Sequence, residues 1–335
     1  MTRLLSLSAA LALLAGGVAA CGGEDGGGSA TAASSKAKDP RGATVRIGVL
    51  RGSSPINLVQ EDGSLQRKLG ARGVNVKWAG PFPAFAPAAE ALNADAIDVT
   101  IGSITSAVGA FAGQSNFTIF GRQVDDGAGE GIVVKPDSGI GSVADLKGKK
   151  VAVNRGGTGE YLLLKALDKA GLSPDDVKRV YLPPADAGPA FASGQVDAWA
   201  TWSAFTVLAQ AKYKARLIVG GKALGSQNDI VFVVRTKFLR DYPTLVSAVF
   251  DALRDRSAAA AADPEGTAKI AAKLQHVPVA LARSIVATSN QPVDAIDPTT
   301  VNRFQGVADY FSQKKVVPAE VTIKGRTVDV RSLSR

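Results

Sequence analysis

DLKGKKVAVNRGGTGEYLLLKALDKAG, residues 145–171, has the pattern of a strand, a glycine-rich turn and a helix in succession. The apolar run at 151–153 is typical of a buried strand, and Leu163 and Leu167 have the four-residue spacing that places side chains on one helical face. Such a turn directs backbone N–H groups at one point, where the helix dipole favours negative charge. The stretch predicts half of an anion-binding site, and the alternative is an ordinary strand–helix turn without a ligand.

The composition is that of a globular protein with a substantial core. The chain has 335 residues, of which 46% are hydrophobic and 21% charged, so it is long enough for about two domains. Its formal net charge is +9, but the lysines and arginines are scattered, and the densest run, KGKK at 147–150, is short. Nucleic-acid binding requires basic clusters with interleaved aromatic residues, so we expect no nucleic-acid partner.

The N-terminus has the features of an export signal. Residues 1–20 contain a basic start, a short apolar run and small residues, which together predict a signal peptide. The segment VAAC at 18–21 resembles a bacterial lipobox, so Cys21 is the predicted lipidation site and residues 21–42 a flexible tether. The alternative is an ordinary signal peptide with an incidental cysteine. Because Cys21 is the only cysteine, the mature chain has no disulfide and no cysteine-based metal site.

Short β-branched runs alternate with helical patterns along most of the chain, which predicts parallel sheets with helical crossovers. Strands are expected at 44–50, 74–78, 97–102, 117–120, 132–134, 151–153, 180–182, 196–201, 217–219 and 230–234. Helices are expected at 58–69, 88–93, 103–112, 160–170, 186–194, 245–262, 264–274, 279–288 and 299–313.

Two polar stretches, 121–130 and 226–229, divide these strands into two sets. We therefore expect an α/β protein of two lobes, each a mainly parallel sheet flanked by helices. Two crossings between lobes are typical of a clamshell that closes on a small molecule. The expected boundaries are residues 43–124 and 231–335 for lobe 1 and residues 125–230 for lobe 2.

Several segments together resemble one family of transport proteins. They are SVADLKGKKVAVNRGGTGEYLLLKALDKAGLSPDDVKRVYL at 142–182, ALNADAIDV at 91–99, PADAGPAFASGQVDAWATW at 184–202 and the strand that ends at Trp78. In this order they resemble the aliphatic-sulfonate-binding proteins of ABC importers. The resemblance implies a type II periplasmic-binding fold, no catalysis, and delivery of a ligand to a membrane permease. It also implies relatives that bind taurine, nitrate or pyrimidine precursors of thiamine.

The resemblance places the ligand between loops of the two lobes. A sulfonate is a tetrahedral anion with three acceptor oxygens, and converging N–H and O–H donors with one arginine would bind it. Loops beyond the carboxyl ends of parallel strands supply such donors. The predicted ligand-binding residues are Arg51, Gly52, Ser53, Phe82, Ser103 and Thr105 on one wall, and Gly156, Gly157, Thr158, Gly159, Trp199 and Trp202 on the other.

Four of these residues have a second interpretation. Trp199 and Trp202 either pack a ligand's carbon chain or belong to the core at the end of a strand. Thr158 is a donor to the anion, a helix N-cap, or both. Arg51 either pairs with the anion or lies solvated at the rim.

Two positions depart from the pattern of sulfonate binders. Ser203 stands where those proteins often have an aspartate after a tryptophan, so a carboxylate that would pair with a ligand amine is absent there, which counts against taurine. Residues 102–106, GSITS, replace a Gly-Asp with prolines, which removes an acid and adds hydroxyl groups. These changes suit an anion but leave the alkyl part of the ligand open.

The remaining candidates have structural interpretations. Arg122 and Asn228 lie in the expected crossings and either stabilise closure or lie on the surface. Glu160 is expected to be a helix-start residue that interacts with the helix dipole. His276, the only histidine, precedes a proline and is expected on the surface.

The sequence does not favour an enzyme. A pyrimidine-precursor synthase of related fold depends on histidine and cysteine chemistry, which one histidine and the cysteine of the lipobox do not supply. The segment GGTG at 156–159 lacks the spacing of a dinucleotide-binding G-x-G-x-x-G motif. We therefore expect no catalytic residues, no metal and no cofactor. A surface sensor without a small ligand remains a third class.

The expected partners follow from the resemblance and the N-terminus. They are a small anionic ligand, an ABC permease with its ATPase, and the membrane through a lipid anchor. The protein is expected to be a monomer on the outer face of the cytoplasmic membrane.

Overall fold

A computed structural model describes residues 37–333 of the chain. The predicted signal peptide, Cys21 and most of the predicted tether lie outside the described residues. Strands and helices alternate as far as the first crossing. They are β1 (Thr44–Leu50), α1 (Pro55–Glu61), α2 (Ser64–Gly70), β2 (Asn75–Phe82), α3 (Phe85–Asn93), β3 (Val99–Ser103), α4 (Ile104–Phe111) and β4 (Phe117–Gln123).

A second series follows and the chain then returns to the first. The second series is β5 (Glu130–Val134), β6 (Lys150–Val153), α5 (Thr158–Lys169), β7 (Lys178–Tyr181), α6 (Pro184–Ser193), β8 (Ala198–Trp202), α7 (Ala204–Tyr213) and β9 (Arg216–Gly220). The return is β10 (Ile230–Arg235), α8 (Thr236–Asp241), α9 (Pro243–Ala262), α10 (Pro264–Gln275), α11 (Val279–Ser289), β11 (Val293–Asp294) and α12 (Pro298–Gln313).

The strands form two mixed sheets. The six-stranded sheet has the order β11-β4-β10-β3-β1-β2, and the five-stranded sheet has the order β7-β6-β8-β5-β9. In the first, β10 runs antiparallel to both β3 and β4, because it enters from the other sheet. In the second, β5 is antiparallel to β8 and β9 for the same reason. The expected α/β architecture is confirmed; the antiparallel strands are β5 and β10, which adjoin the crossings, and the short β11, which pairs with β4.

The interiors of both sheets follow from the sequence pattern. Strands β3 and β5 are buried along their whole length, as expected of central strands covered on both faces. A buried ion network also ties β1 to β10: Asp98 accepts hydrogen bonds from Arg46 at 2.7 Å and Arg235 at 2.6 Å. Burial would raise the pKa of Asp98, and the hydrogen bonds from the two arginines hold it below its ordinary value.

Two segments connect the sheets. We call residues 124–129 the first crossing and residues 221–229 the second crossing. The first is shorter than the expected polar stretch, because β4 continues to Gln123 and Glu130 already belongs to β5. The expected lobe boundaries, 43–124 with 231–335 and 125–230, stay a prediction.

Two further details differ from the sequence-based expectation. The helix expected at 58–69 is two helices, α1 and α2, separated at Gly63, whose φ of +67° is in the left-handed region that favours glycine. The strand expected at 74–78 extends to Phe82. Among residues 37–333, none of the helices combines the length and the apolar composition needed to span a membrane.

Candidate ligand-binding cleft

A cavity of about 220 Å³ lies between the two sheets. Its walls come from the β1–α1 loop and the start of α4 on one side, and from the start of α5 and the β8–α7 junction on the other. Both crossings contribute to it as well. It therefore lies where the carboxyl ends of parallel strands and the N-termini of helices from both sheets face each other, which is the usual position of a ligand in such folds.

Hydroxyl groups line the wall at the start of α4. Ser103 is the N-cap of this helix, and its Oγ accepts a hydrogen bond from the backbone N–H of Ser106. The same Oγ lies 2.9 Å from Oγ1 of Thr105 and 2.9 Å from Oγ of Ser106. Serine is favoured at an N-cap because its oxygen satisfies a free backbone N–H, so local sequence preference places these hydroxyls here. Ser103 and Ser106 line the cavity, whereas Thr105 is fully buried behind them.

The glycine loop before α5 is organised differently from the expectation. The N–H of Gly156 donates to Oε2 of Glu160 at 2.8 Å, and the N–H of Gly159 donates to Oδ1 of Asn154 at 2.7 Å. A Cβ on Gly157 would lie 1.9 Å from Nδ2 of Asn154, so this position requires glycine for packing. Gly156, Gly157 and Gly159 therefore do not line the cavity, and their wall presents Thr158 and Asn154 instead.

Glu160 holds the glycine loop in place. Its side chain is 1% exposed, and besides the N–H of Gly156 it accepts hydrogen bonds from Arg179 at 3.1 Å and from the hydroxyl of Tyr181 at 2.7 Å. Arg155 stacks on the ring of Tyr181 with 3.6 Å between guanidinium carbon and ring centroid. Glu160 is thus a helix-start residue, as expected. Its side chain also accepts a hydrogen bond from an N–H group of the glycine loop that would otherwise be available to a ligand.

The sequence allowed two interpretations of Asn228, a role in stabilising closure and a position on the surface. The structure buries it in the second crossing. Its Nδ2 donates to Oγ1 of Thr158 at 2.8 Å and to Oε1 of Glu130 at 2.7 Å. Its Oδ1 accepts from Oγ1 of Thr105 at 2.7 Å. From the second crossing, Asn228 therefore makes hydrogen bonds to both walls of the cavity and to Glu130 beside the first crossing.

The first crossing and the adjoining start of β5 bring carboxyl groups to the cavity. Burial, with a further contribution from the charge of Asp125, raises the pKa of Glu130 to about 8, although Asn228 and Ser226 donate hydrogen bonds to it. Burial raises the pKa of Asp125 to about 6, and Asp229 adds to this effect. Near neutral pH Glu130 is therefore mostly uncharged, and Asp125 carries the acidic charge of this wall.

A buried ion cluster lies directly behind the second crossing. Asp229 is 1% exposed and accepts hydrogen bonds from Arg122 at 3.0 Å and from Arg303 on α12. The backbone N–H of Asp125 also donates to Asp229, at 3.2 Å. Arg122 thus connects the end of β4 to the start of β10, a structural role rather than a surface one.

The aromatic residues divide between cavity and core. Trp202 lines the cavity, with its ring 5.7 Å from that of Phe205, which lines it too. Trp199 is 4% exposed and packs against Phe191 and Phe205, so it belongs to the core. Phe82 also packs into the core, and the neighbouring Phe85 lines the cavity in its place.

The structure brings half of the predicted residues to the cavity. The predicted residues that line it are Arg51, Gly52, Ser53, Ser103, Thr158 and Trp202. Those that do not are Phe82, Thr105, Gly156, Gly157, Gly159 and Trp199. Lining residues that sequence reasoning did not predict include Phe85, Ser106, Asp125, Glu130, Asn154, Phe205 and Asn228. The sequence predicted the strand ends and helix starts where these residues lie, but it did not predict which of the side chains face the cleft.

Ser203 also lines the cavity, and its backbone is unusual. It has φ of +49° and ψ of −128°, a strained combination for a residue with a Cβ. Its N–H donates to the carbonyl of Gly129 at 2.7 Å, which attaches the start of α7 to the first crossing.

His276 is exposed at the end of α10, as expected. Among residues 37–333 there is no cluster of three His, Cys, Asp or Glu side chains that could hold a metal ion.

Comparison with known proteins agrees with this architecture. The chain is 29% identical over 285 residues to an aliphatic sulfonates-binding protein of Escherichia coli (strain K12), which covers 84% of this chain and 88% of that one. The solved alkanesulfonate-binding protein SsuA from Xanthomonas axonopodis pv. citri, bound to MOPS, has a TM-score of 0.80, 28% identity, and coverage of 86% of this chain and 99% of that chain. The periplasmic aliphatic sulphonate binding protein SsuA from Escherichia coli has a TM-score of 0.75, 28% identity, and coverage of 84% and 91%.

These similarities confirm the expected periplasmic-binding-protein fold. These relatives are binding proteins and not enzymes, in agreement with the expectation of a binding protein. The model of the family described as "NMT1/THI5 like" matches residues 71–267, more than half of the chain. The chain is a member of the NMT1/THI5 like family.

Proposed function

We propose that this protein is the extracytoplasmic solute-binding component of an ABC importer, and that its ligand is a small organosulfonate anion. The observation that carries the proposal is the polar lining of the cleft: Ser103, Ser106 and Thr158 line it at helix starts, and Asn154 lines it at the end of β6. The similarity of more than four fifths of the chain to sulfonate-binding proteins supports the same ligand class.

The polar end of the cleft suits a sulfonate group. Three sulfonate oxygens accept hydrogen bonds, and hydroxyl and amide groups donate them without a basic cluster. The N-termini of α4 and α5 add the positive ends of two helix dipoles. Arg51 is exposed at the rim, where it would attract an anion.

The rest of the cleft suits a carbon substituent. Trp202, Phe205, Phe85 and Ile101 line it, and their apolar surfaces would cover an alkyl chain or a ring. A cavity of about 220 Å³ exceeds what a nitrate ion fills. Asp125 opposes a second negative charge on the ligand, so a monoanion is favoured over sulfate.

The same aspartate supports a second candidate ligand, an aminosulfonate such as taurine. Position 203 is a serine and not an aspartate, which counted against a ligand with an amine. Asp125 in the first crossing, however, places a carboxylate in the lining of the cavity. MOPS, bound to the solved relative, also combines a sulfonate with an amine. Nitrate and a thiamine pyrimidine precursor complete the set of candidate ligands.

Delivery to a permease would require opening and closing of the cleft. In this proposal lobe 1 (residues 43–124 and 231–335) and lobe 2 (residues 125–230) move about the two crossings, and the protein acts as a monomer with a permease and its ATPase. Two short connecting segments between two packed sheets are the usual hinge of a clamshell.

Lipidation at Cys21 would hold the protein on the outer face of the cytoplasmic membrane after removal of residues 1–20. The lipobox-like segment at 18–21 supports this part of the proposal. Cys21→Ala is expected to move the protein from the membrane fraction to the soluble fraction of cells that express it. Unchanged membrane association of the variant would overturn the anchor.

A ligand panel tests the function directly. Thermal unfolding would be recorded with methanesulfonate, butane-1-sulfonate, MOPS, taurine, nitrate, sulfate and a thiamine pyrimidine at millimolar concentration, followed by calorimetry. A ligand at a hundred times its Kd stabilises the folded state by about 2.7 kcal/mol, so a sulfonate is expected to raise Tm clearly. A rise with nitrate or the pyrimidine and none with any sulfonate would contradict the proposed ligand.

A further inference from the structure

A chain of hydrogen bonds runs from Ser226 in the second crossing to the cleft through Glu130 and Asn228. Both side chains are 2% exposed, and neither offers its charge or amide to bulk water. We propose that Glu130 is a positioning residue for the anion, because through Asn228 it makes the hydroxyl of Thr158 a hydrogen-bond donor to the ligand. This inference rests on the sulfonate-binding function proposed above.

The orientation of the Asn228 amide follows from its neighbours. Because Nδ2 of Asn228 only donates, Oε1 of Glu130 accepts from it at 2.7 Å, and Oε2 of Glu130 shares a hydrogen bond with the hydroxyl of Ser226 at 2.5 Å. The second hydrogen on Nδ2 points to Oγ1 of Thr158 at 2.8 Å. Since an amide nitrogen only donates, Thr158 receives this hydrogen bond and keeps its own proton.

The hydroxyls on the opposite wall can be assigned in the same way, because each carries one proton. Oδ1 of Asn228 only accepts, so Thr105 donates to it at 2.7 Å. Ser103 donates its own proton to Oγ of Ser106 at 2.9 Å, and Oγ of Ser103 also lies 2.9 Å from Oγ1 of Thr105. The backbone N–H of Ser106 also points at Oγ of Ser103.

Thr158 keeps a proton that can serve a ligand. Its contact with Oγ of Ser103 is 3.4 Å, beyond the usual range of 2.5–3.0 Å for an O–H···O bond, and Ser103 already accepts from Ser106. Thr158 lines the cavity at the first turn of α5, where the helix dipole favours an anion. The hydroxyl of Thr158 is therefore directed to the position where the anion would lie.

Glu130 decides this arrangement because it is the acceptor that fixes the amide. Without an oxygen at this position, the Asn228 side chain can turn so that Oδ1 faces Thr158. Thr158 would then donate its proton to Asn228, and an anion in the cleft would lose one donor. The same turn would break the bond from Thr105, which is buried behind the cavity wall and does not line the cavity.

The test is a double-mutant cycle between Glu130 and Thr158. Glu130→Met removes the acceptor at similar side-chain length, Thr158→Val removes the hydroxyl at similar shape, and the third protein carries both changes. Glu130→Gln keeps an oxygen toward Asn228 and serves as the conservative rescue. The Kd for butane-1-sulfonate, or for MOPS if it binds more tightly, would be measured by calorimetry at pH 7.

Thr158→Val is expected to weaken binding on the order of tenfold to a hundredfold, the usual effect of removing a hydrogen bond to a charged group. Glu130→Met should weaken binding by a similar factor in the native background and have no further effect beside Thr158→Val. Glu130→Gln should recover most of the affinity lost in Glu130→Met. Equal loss from Glu130→Met in both backgrounds, or no recovery by Glu130→Gln, would overturn the proposal.

Thermal unfolding without ligand controls for loss of structure. If Glu130→Met does not fold, Asn228→Leu takes its place in the cycle, because it removes the intermediate amide and makes the same prediction of no added effect beside Thr158→Val. If the native protein binds no sulfonate at all, the proposed function fails. If it binds one and the cycle is additive, only the role of Glu130 fails.

Discussion

At the scale of single residues, Trp199 and Trp202 show how three positions along one strand can separate core from ligand site. Both lie on β8, three residues apart, so the alternation of a strand turns their side chains to opposite faces. Trp199 packs against Phe191 in the core, and Trp202 reaches the cavity beside Phe205. The two tryptophans therefore form a matched pair for mutation.

Trp202→Ala is expected to weaken binding of butane-1-sulfonate about tenfold while affecting methanesulfonate little, because the lost contact is with the carbon chain. Trp199→Ala is expected to lower the free energy of unfolding by about 3–5 kcal/mol through the cavity that it leaves in the core. Calorimetry and urea unfolding on both variants would separate the effects. A larger loss of stability in Trp202→Ala than in Trp199→Ala would contradict these assignments.

At the scale of elements, helix α4 and the glycine loop approach each other across the cleft. A Cβ on Gly109, inside α4, would lie 3.0 Å from the carbonyl oxygen of Gly156. Glycine is unfavourable inside a helix, so its presence here is explained by the close approach of the two elements. Gly306 on α12 is also inside a helix but faces open space, which makes it a control.

Gly306→Ala is expected to raise the free energy of unfolding by about 0.5–1 kcal/mol, the usual gain from alanine in a helix. Gly109→Ala should not show this gain, because the new methyl group meets the loop, and it should weaken sulfonate binding by holding the cleft walls apart. Urea unfolding and calorimetry on both variants measure the difference. An equal gain in stability with unchanged affinity in Gly109→Ala would show that the approach is not tight.

At the scale of the whole molecule, one group of buried acidic side chains lies where the two sheets are joined. Glu130 and Asp125 lie in or beside the first crossing, and Asp229 ends the second crossing between Arg122 and Arg303. The arginines compensate Asp229, whereas Glu130 has hydroxyl and amide partners and no cation among the residues that the structure describes. Burial without a compensating charge is the physical reason that the pKa of Glu130 is raised to about 8.

The stability of the protein is therefore expected to depend on pH. The pKa of Glu130 rises from 4.5 to about 8 on folding, so between these values the folded state binds more protons than the unfolded state. Stability from this group then falls as pH rises from about 4.5 to about 8, by at most about 1.4 kcal/mol per pH unit. Asp125, with a pKa of about 6, acts in the same direction at lower pH.

Urea unfolding of the native protein and of Glu130→Gln at pH 5 to 9 would test this. The difference in free energy of unfolding, native minus variant, should fall as pH rises to about 8 and then level off. Asp125 and Asp126, which act on Glu130, are unchanged in both proteins, so their own titration largely cancels. A difference that is constant with pH would contradict the raised pKa.

The two-sheet fold was readable from the sequence because it depends on local pattern. The β-branched runs fall on the observed strands with ends shifted by a few residues, and the polar stretches fall on the crossings. The orientation of side chains within the glycine loop was not readable. Gly156 and Gly159 lie in the glycine-rich turn that was expected to bind an anion, but Glu160 and Asn154 accept their N–H groups, and only the folded loop shows this.

By itself, the sequence determined the α/β class, the order of strands and helices, the family, and a cleft with hydroxyl groups at helix starts, because periodicity and N-cap preference act over a few residues. Only the tertiary structure decided which groups face the ligand. Asn228 meets Thr158 across 70 positions of chain and Glu130 across 98, and no local pattern specifies such contacts. The strand–turn–helix at 145–171 predicted one wall of the cleft. The packing of the two crossings against that wall decided which of its groups can donate a hydrogen bond to a ligand.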